Sequence, residues 1–166
     1  LDLVTDVASV GMQSFVGPLF IVASSVGVTS IEFAGGRAKA RAAAGSDPVA
    51  KGHAEAAARQ LGEYFESRRR TFDLALDLQG TAFQMLAWQA LLRIPFGTTV
   101  TYGEQAAMIG RPTAARAVGS ANGANPIPIV VPCHRVLAVG PALGGYSLGL
   151  DVKRALLALE GVSVAA

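Results

Sequence analysis

Hydrophobic positions along the chain fall into blocks with two different periods. LFIVA (19–23) and VTSIEF (28–33) are short apolar or alternating runs separated by Ser24-Ser25. That pattern predicts two strands joined by a turn, a hairpin within 15–34. Asp47-Pro48 opens a predicted helix to about Glu66, with Pro48 in the first turn and Ala54, Ala57, Ala58, Leu61, Tyr64 and Phe65 at helical spacing. The intervening GGRAKARAAAGSD reads as a loop or the frayed start of that helix. FDLALDL alternates, with Phe72, Leu74, Leu76 and Leu78 on one face, and predicts a half-buried strand. The pattern changes near Gln79–Ala82, which places a domain boundary at residue 80, giving domains 1–80 and 81–166.

Beyond that boundary the period is helical. Helices are predicted at about 82–92, 102–109, 113–122 and 150–159, with Phe83, Met85 and Trp88 as core residues. Gly110-Arg111-Pro112 separates the second helix from the third, a spacing compatible with a helix-turn-helix. The third helix reads AARAVGSA, one charge among small side chains. Such a helix either approaches a nucleic-acid backbone closely, with Arg116 reaching into the base stack, or packs tightly against neighbouring helices with Arg116 in an ordinary salt bridge. An uncharged, proline-broken segment, NPIPIVVPC (125–133), follows and shows neither period.

Composition narrows the classes. At 166 residues and 51% hydrophobic the chain buries a real core and is not disordered. The uncharged stretch 7–31 has VGPLFIVA as its longest apolar part, too short to span a bilayer, so no membrane association is expected. Asp2 and Asp6 stand where a signal peptide needs basic residues, so no targeting segment is read and a reducing cytoplasm is expected. One cysteine and two histidines exclude an internal disulfide framework and a Cys-rich zinc site. Charge is uneven: residues 1–80 hold 8 basic and 9 acidic residues, residues 81–166 hold 6 and 3. A net of +3 in the second half is compatible with a polyanion partner, or is a fluctuation between halves.

The lone cysteine, Cys133, lies in VVPCHRV. A thiol at its ordinary pKa of about 8.5 is a poor nucleophile near neutrality and needs a base. His134 is the only histidine in this half, and Glu104, Asp151 and Glu160 are the only carboxylates able to orient it. Adjacent side chains in an extended segment point apart, so a bridging water or a tight turn would be needed between Cys133 and His134.

The longer string NGANPIPIVVPCHRV (122–136) resembles the active-site signature of the O6-alkylguanine-DNA alkyltransferases, the methylated-DNA–protein-cysteine methyltransferases. The preceding GTAFQMLAWQALLRIPFGTTVTYGEQAAMIGRPTAARAVGSANGANP, the later GGYSLGLDVKRALLALEG and the early GPLFIVASSVGVTSIEF resemble other parts of that family, so the likeness covers about residues 15–161. It implies an α/β N-terminal domain, a small antiparallel sheet with helices of ribonuclease-H-like type. It also implies a mainly α, winged-helix-like C-terminal domain with a helix-turn-helix. The implied activity is stoichiometric repair of double-stranded DNA containing O6-alkylguanine, and O4-alkylthymine, without a cofactor, by a monomer that is used once.

The resemblance also implies roles. Cys133 would accept the alkyl group, His134 would be its base through a water, and Glu160 would orient His134. Asn125 would be the hinge before the active-site loop, and Tyr102 would donate a proton to guanine N3. Arg116 would hold the gap left by the flipped nucleotide, with Ala115, Ala117 and Gly119 along the minor groove. Pro128 would pack on the base, backbone groups of Cys133, Val136 and Ser147 would read its edge, and Tyr146 would line the pocket. Leu148 stands where family members often carry Gly or an aromatic, which would alter the pocket mouth. Ligands for the structural zinc of some members are missing, so no metal is expected. Competing readings are a non-catalytic lesion-binding protein, a helix-turn-helix regulator with a sensor cysteine, and a Cys-His hydrolase.

Overall fold

The computed structural model describes residues 7–33, 47–140 and 143–164. The chain divides into two compact units, Leu1–Gln79 and Gly80–Ala166. In the first, strands β1 (Val7–Met12), β2 (Leu19–Ser24) and β3 (Val28–Phe33) form an antiparallel sheet in that order. Helix α1 (Pro48–Phe65) packs across β1 and β2. Its first turn is closed by Asp47, whose carboxylate accepts the Ala50 N–H at 2.9 Å. Leu19, Ile21 and Ala23 of β2 meet Ala54, Ala57, Leu61 and Tyr64 of α1 in the core, all fully buried.

Two expectations for this unit change. β1 was not foreseen, because Ser9 and Gly11 dilute its alternation and only Ala8 is buried. The segment 72–78 is extended but is no strand: Leu76 makes a single parallel bridge to Val28. Two side chains of the unit bond to it as well. Gln60 bonds both backbone groups of Asp73, and the Ser24 hydroxyl donates to Asp77 at 2.6 Å. Gly27 permits the approach, since a Cβ there would sit 2.5 Å from the Ala75 carbonyl. The predicted loop 35–47 lies outside the described residues apart from Asp47.

The second unit is mainly helical. α2 (Ala82–Leu91) starts at a Thr81/Gln84 capping box and α3 (Tyr102–Met108) at a Thr101/Glu104 box. α3, the turn after it and α4 (Ala115–Gly123) make the helix-turn-helix, and α2 packs against both helices. A two-residue parallel ladder joins β4 (Val100–Thr101) to β5 (Val136–Leu137). α5 (Leu150–Leu159) closes the unit. Trp88 is core, its indole N–H bonded to the Ala121 carbonyl at 2.8 Å. Phe83 and Met85, expected beside it, are only half-buried; Arg111 lies over the Phe83 ring at 5.8 Å. The architecture is thus the expected one, a small antiparallel sheet with a helix followed by a helical unit carrying a helix-turn-helix.

Candidate active site

The irregular segment before Cys133 is folded by one side chain. Asn125 donates from Nδ2 to the Val131 carbonyl at 2.8 Å and to Cys133 Sγ at 3.2 Å, while its Oδ1 accepts the Ile127 N–H at 3.0 Å. An amide carries both donor and acceptor, so a single Asn can staple both arms of this loop. Between the arms, Ile129 has φ +75°, a conformation that β-branched residues rarely adopt. The staple and full burial of Ile129 hold this strained turn in place. The chain then turns through a 3-10 helix at Cys133–Arg135.

His134 is fully buried, with Nε2 2.7 Å from Glu160 Oε2. Its Nδ1 has no hydrogen-bond partner in the protein. Burial pushes the imidazole pKa down, against the pull of Glu160. The ring is therefore neutral near pH 7, donates from Nε2 and presents Nδ1 as a free acceptor. Glu160 receives more than His134. Arg135 forks onto both its oxygens at 2.9 and 3.0 Å, and the Gly97 N–H donates to Oε1 at 3.0 Å. Burial alone would raise the Glu160 carboxyl, but the bonds from His134, Arg135 and Gly97 outweigh it and hold the pKa well below the usual carboxylate range. Arg135 also donates to the Ile94 carbonyl at 2.6 Å.

Cys133 is 5% exposed. Burial raises its thiol pKa, opposed by the Asn125 bond and by the charge of Lys153. The sulfur borders a cavity of about 660 Å³, a size suited to a small aromatic ligand. Its wall includes Tyr102, Ala115, Arg116, Gly119, Tyr146 and Ser147, all anticipated from the sequence, together with Asn122, Gly123 and Gly145, which were not. Asn125, His134 and Glu160 are buried and do not line the cavity. Ala117 is exposed and lies off the cavity wall, as does buried Pro128. Val136 is also buried away from the wall, and both of its backbone groups are engaged, N–H to Cys133 and carbonyl to Lys153.

Tyr102 is half-buried, its hydroxyl 3.4 Å from the Gly145 carbonyl. Burial raises its pKa, so the phenol keeps its proton. Gly144 has φ +75°, and a Cβ there would be 2.8 Å from the Tyr102 ring and hydroxyl. Lys153 was missed by the sequence reading. Fully buried, it donates to the carbonyls of Val136, Leu143 and Gly145 at 2.7, 2.7 and 3.0 Å. Burial pushes its pKa down to about 8. It ties the pocket-wall loop to β5, and no sequence period announces it, since Lys in VKRALLALE reads as a solvated helix residue. Among the described residues no group of His, Cys, Asp and Glu could hold a metal, and no helix is long and apolar enough to cross a membrane.

The fold and the site define a two-domain protein whose helix-turn-helix unit presents a hydrogen-bonded cysteine at the foot of a cavity. Comparison with known proteins gives the family. The family model of the 6-O-methylguanine DNA methyltransferase ribonuclease-like domain matches residues 11–78, and that of its DNA binding domain matches 82–162. A methylated-DNA–protein-cysteine methyltransferase of Methanosarcina acetivorans is 44% identical over 149 residues, 90% of this chain and 95% of the relative. Its counterpart in Mycolicibacterium paratuberculosis is 58% identical over 104 residues, and the match spans 63% of the length of each. The crystal structure of Mycobacterium tuberculosis O6-methylguanine methyltransferase superposes with a TM-score of 0.83 at 43% identity, covering 96% of both chains. Mycobacterium tuberculosis OGT, solved in complex with DNA, matches at 0.79 and 45% identity over 90% of each chain. The chain belongs to the methylated-DNA–protein-cysteine methyltransferase family.

Proposed function

We propose that this chain repairs DNA by taking the alkyl group of O6-alkylguanine onto Cys133, once per molecule. The observation that carries the reading is that the nearly buried Cys133 and the exposed Arg116 of α4 border one cavity. The reactive carbon of a paired guanine lies inside the stack, so the nucleotide has to be flipped out, at about a few kcal/mol. Arg116 fills the gap, and the small residues Ala115, Ala117 and Gly119 let α4 lie close to the duplex.

The chemistry follows from the protonation states. The thiol proton of Cys133 passes through a solvent water to Nδ1 of neutral His134, whose other nitrogen is anchored on ionised Glu160. The sulfur attacks the alkyl carbon, forming S–C as C–O6 breaks with its electron pair going to the base. Tyr102 donates its phenolic proton to guanine N3, and the proton held by His134 restores the phenol through solvent. The products are neutral guanine and a thioether. Nothing in the site cleaves that thioether, so the protein is consumed. The reaction as written uses groups of this chain and water, and we read it as the work of a monomer without a cofactor. A cytoplasmic location fits, because Cys133 has to stay reduced to act.

The end point tests the stoichiometry. With methylated duplex in excess, transfer stops at one alkyl group per protein molecule; continued turnover would refute the reading. The pH profile tests the proton relay. The reactive form has neutral Cys133 and neutral His134, and burial moves their pKa values apart, upward and downward. Single-turnover transfer is therefore expected to be flat between about pH 6.5 and 7.5, short of the Lys153 pKa of about 8, and to fall below His134's lowered pKa. A rise of about tenfold per pH unit across neutrality would instead indicate attack by a solvent-generated thiolate, without the relay.

A further inference from the structure

Between the two helices of the helix-turn-helix lies a polar cluster that the proposed reaction does not use. Gln105 of α3 is fully buried, and Asn122 of α4 is 6% exposed. Their amides bond reciprocally: Gln105 Nε2 donates to Asn122 Oδ1 at 3.0 Å, and Asn122 Nδ2 to Gln105 Oε1 at 2.8 Å. Gln105 Nε2 also reaches the Ala87 carbonyl of α2 at 3.1 Å. An apolar pair would fill this space with less desolvation. Two facing amides, however, satisfy each other in only one relative placement of their helices, so they specify register.

The attachments of α4 are uneven. Its first residue has no side-chain cap, and Arg116 nearby is exposed. Its last turn is held twice, by Trp88 on the Ala121 carbonyl and by Gln105 on Asn122. Asn122 then passes the constraint on. Its carbonyl accepts the Asn125 N–H at 3.2 Å, Asn125 bonds Cys133 Sγ, and Asn122 itself borders the same cavity as the cysteine. The helix that bears Arg116 and the loop that bears the acceptor therefore share one anchor.

We propose that Gln105 and Asn122 are positioning residues, their buried amide pair setting the helix that carries Arg116 against the loop that carries Cys133. A nucleotide leaving the duplex then arrives at the sulfur in line. The inference rests on the repair reading above. Its consequence is selective. Delivery from a duplex needs the register between α4 and Cys133, whereas an O6-alkylated guanine supplied as the free base diffuses to the sulfur without it.

The test compares single-turnover transfer from methylated duplex and from the free O6-alkylated base in the full chain, with Gln105→Met and, as a second and shorter apolar replacement, Gln105→Leu. Rates are normalised to the active fraction from the end point, below the melting temperature of each variant. The ratio of duplex to free-base rate is expected to fall about tenfold or more, a misplacement of about 1 Å costing up to about a hundredfold. Loss of folding alone reduces the active fraction and scales both rates alike. An unchanged ratio in either folded variant overturns the proposal. If the unaltered protein transfers from neither substrate, the repair reading itself fails, a distinguishable result.

Discussion

Replacing Cys133 by Ser abolishes alkyl transfer while leaving binding to a methylated duplex in place. The substitution keeps the size of the side chain and an acceptor for the Asn125 amide, which bonds the sulfur at 3.2 Å. What it removes is acidity and nucleophilicity. A neutral imidazole on a bound carboxylate can accept a thiol proton, but a serine hydroxyl is far less acidic and its oxygen is a poorer nucleophile toward an alkyl carbon. The loss is expected to be at least about 10⁴-fold in the single-turnover rate, the scale seen when an activated nucleophile is removed. Arg116 and α4 are untouched, so duplex affinity by gel shift or anisotropy stays close to that of the unaltered protein. Residual transfer in Cys133→Ser would mean that the acceptor is a different residue.

The second large effect is at Glu160. Glu160→Ala leaves Arg135 and His134 buried without their carboxylate, and breaking one side of a buried pair costs about 3–5 kcal/mol. Both partners are essentially inaccessible to solvent, with side-chain exposures of 0% for His134 and Glu160 and 7% for Arg135, so screening does not soften the loss. Denaturant titration is expected to show it as a lower midpoint with little change in slope. The pH dependence has a definite sign. Glu160's folded pKa lies below its unfolded value, so its stabilisation is complete above the unfolded carboxylate pKa of about 4.3 and is lost as pH falls toward the folded one. The acid-labile part of the stability is therefore smaller in Glu160→Ala. Equal acid sensitivity in the two proteins would contradict an ionised Glu160 held by His134, Arg135 and Gly97.

The helices were legible because their information is local. Asp47-Pro48 marks the start of α1, and apolar residues at helical spacing mark α5, whose bounds came out as read. The acceptor loop was legible for a different reason: the PCHRV string and its surroundings resemble a family, and nothing in the periodicity of NPIPIVVPC would have folded it. The rest depends on contacts distant in sequence. Glu160 was expected to orient His134, yet its fork with Arg135 spans 25 residues and left no local trace. Lys153 looks like a surface lysine until three carbonyls from elsewhere in the chain converge on it. Gln105 and Asn122 are ordinary helix residues until α3 and α4 are packed. Polar residues at buried crossings carry no period, whereas apolar faces do.

These long-range polar contacts give the site its rigidity. Cys133 is held by Asn125, His134 by Glu160, Glu160 by Arg135 and Gly97, and the pocket-wall loop by Lys153. Geometry fixed before substrate arrives lowers the entropic cost of bringing the alkyl carbon in line with the sulfur.

The central claim is that Cys133 becomes the alkyl carrier. It is tested most directly by mixing the protein with a duplex containing one O6-methylguanine, measuring the intact protein mass, and mapping the modified peptide. A gain of a single CH2, located on Cys133 and accompanied by an equal amount of restored guanine in the duplex, is the expected result. Unmodified protein bound to a duplex that still carries its methyl group, or a methyl group on any other residue, would contradict it.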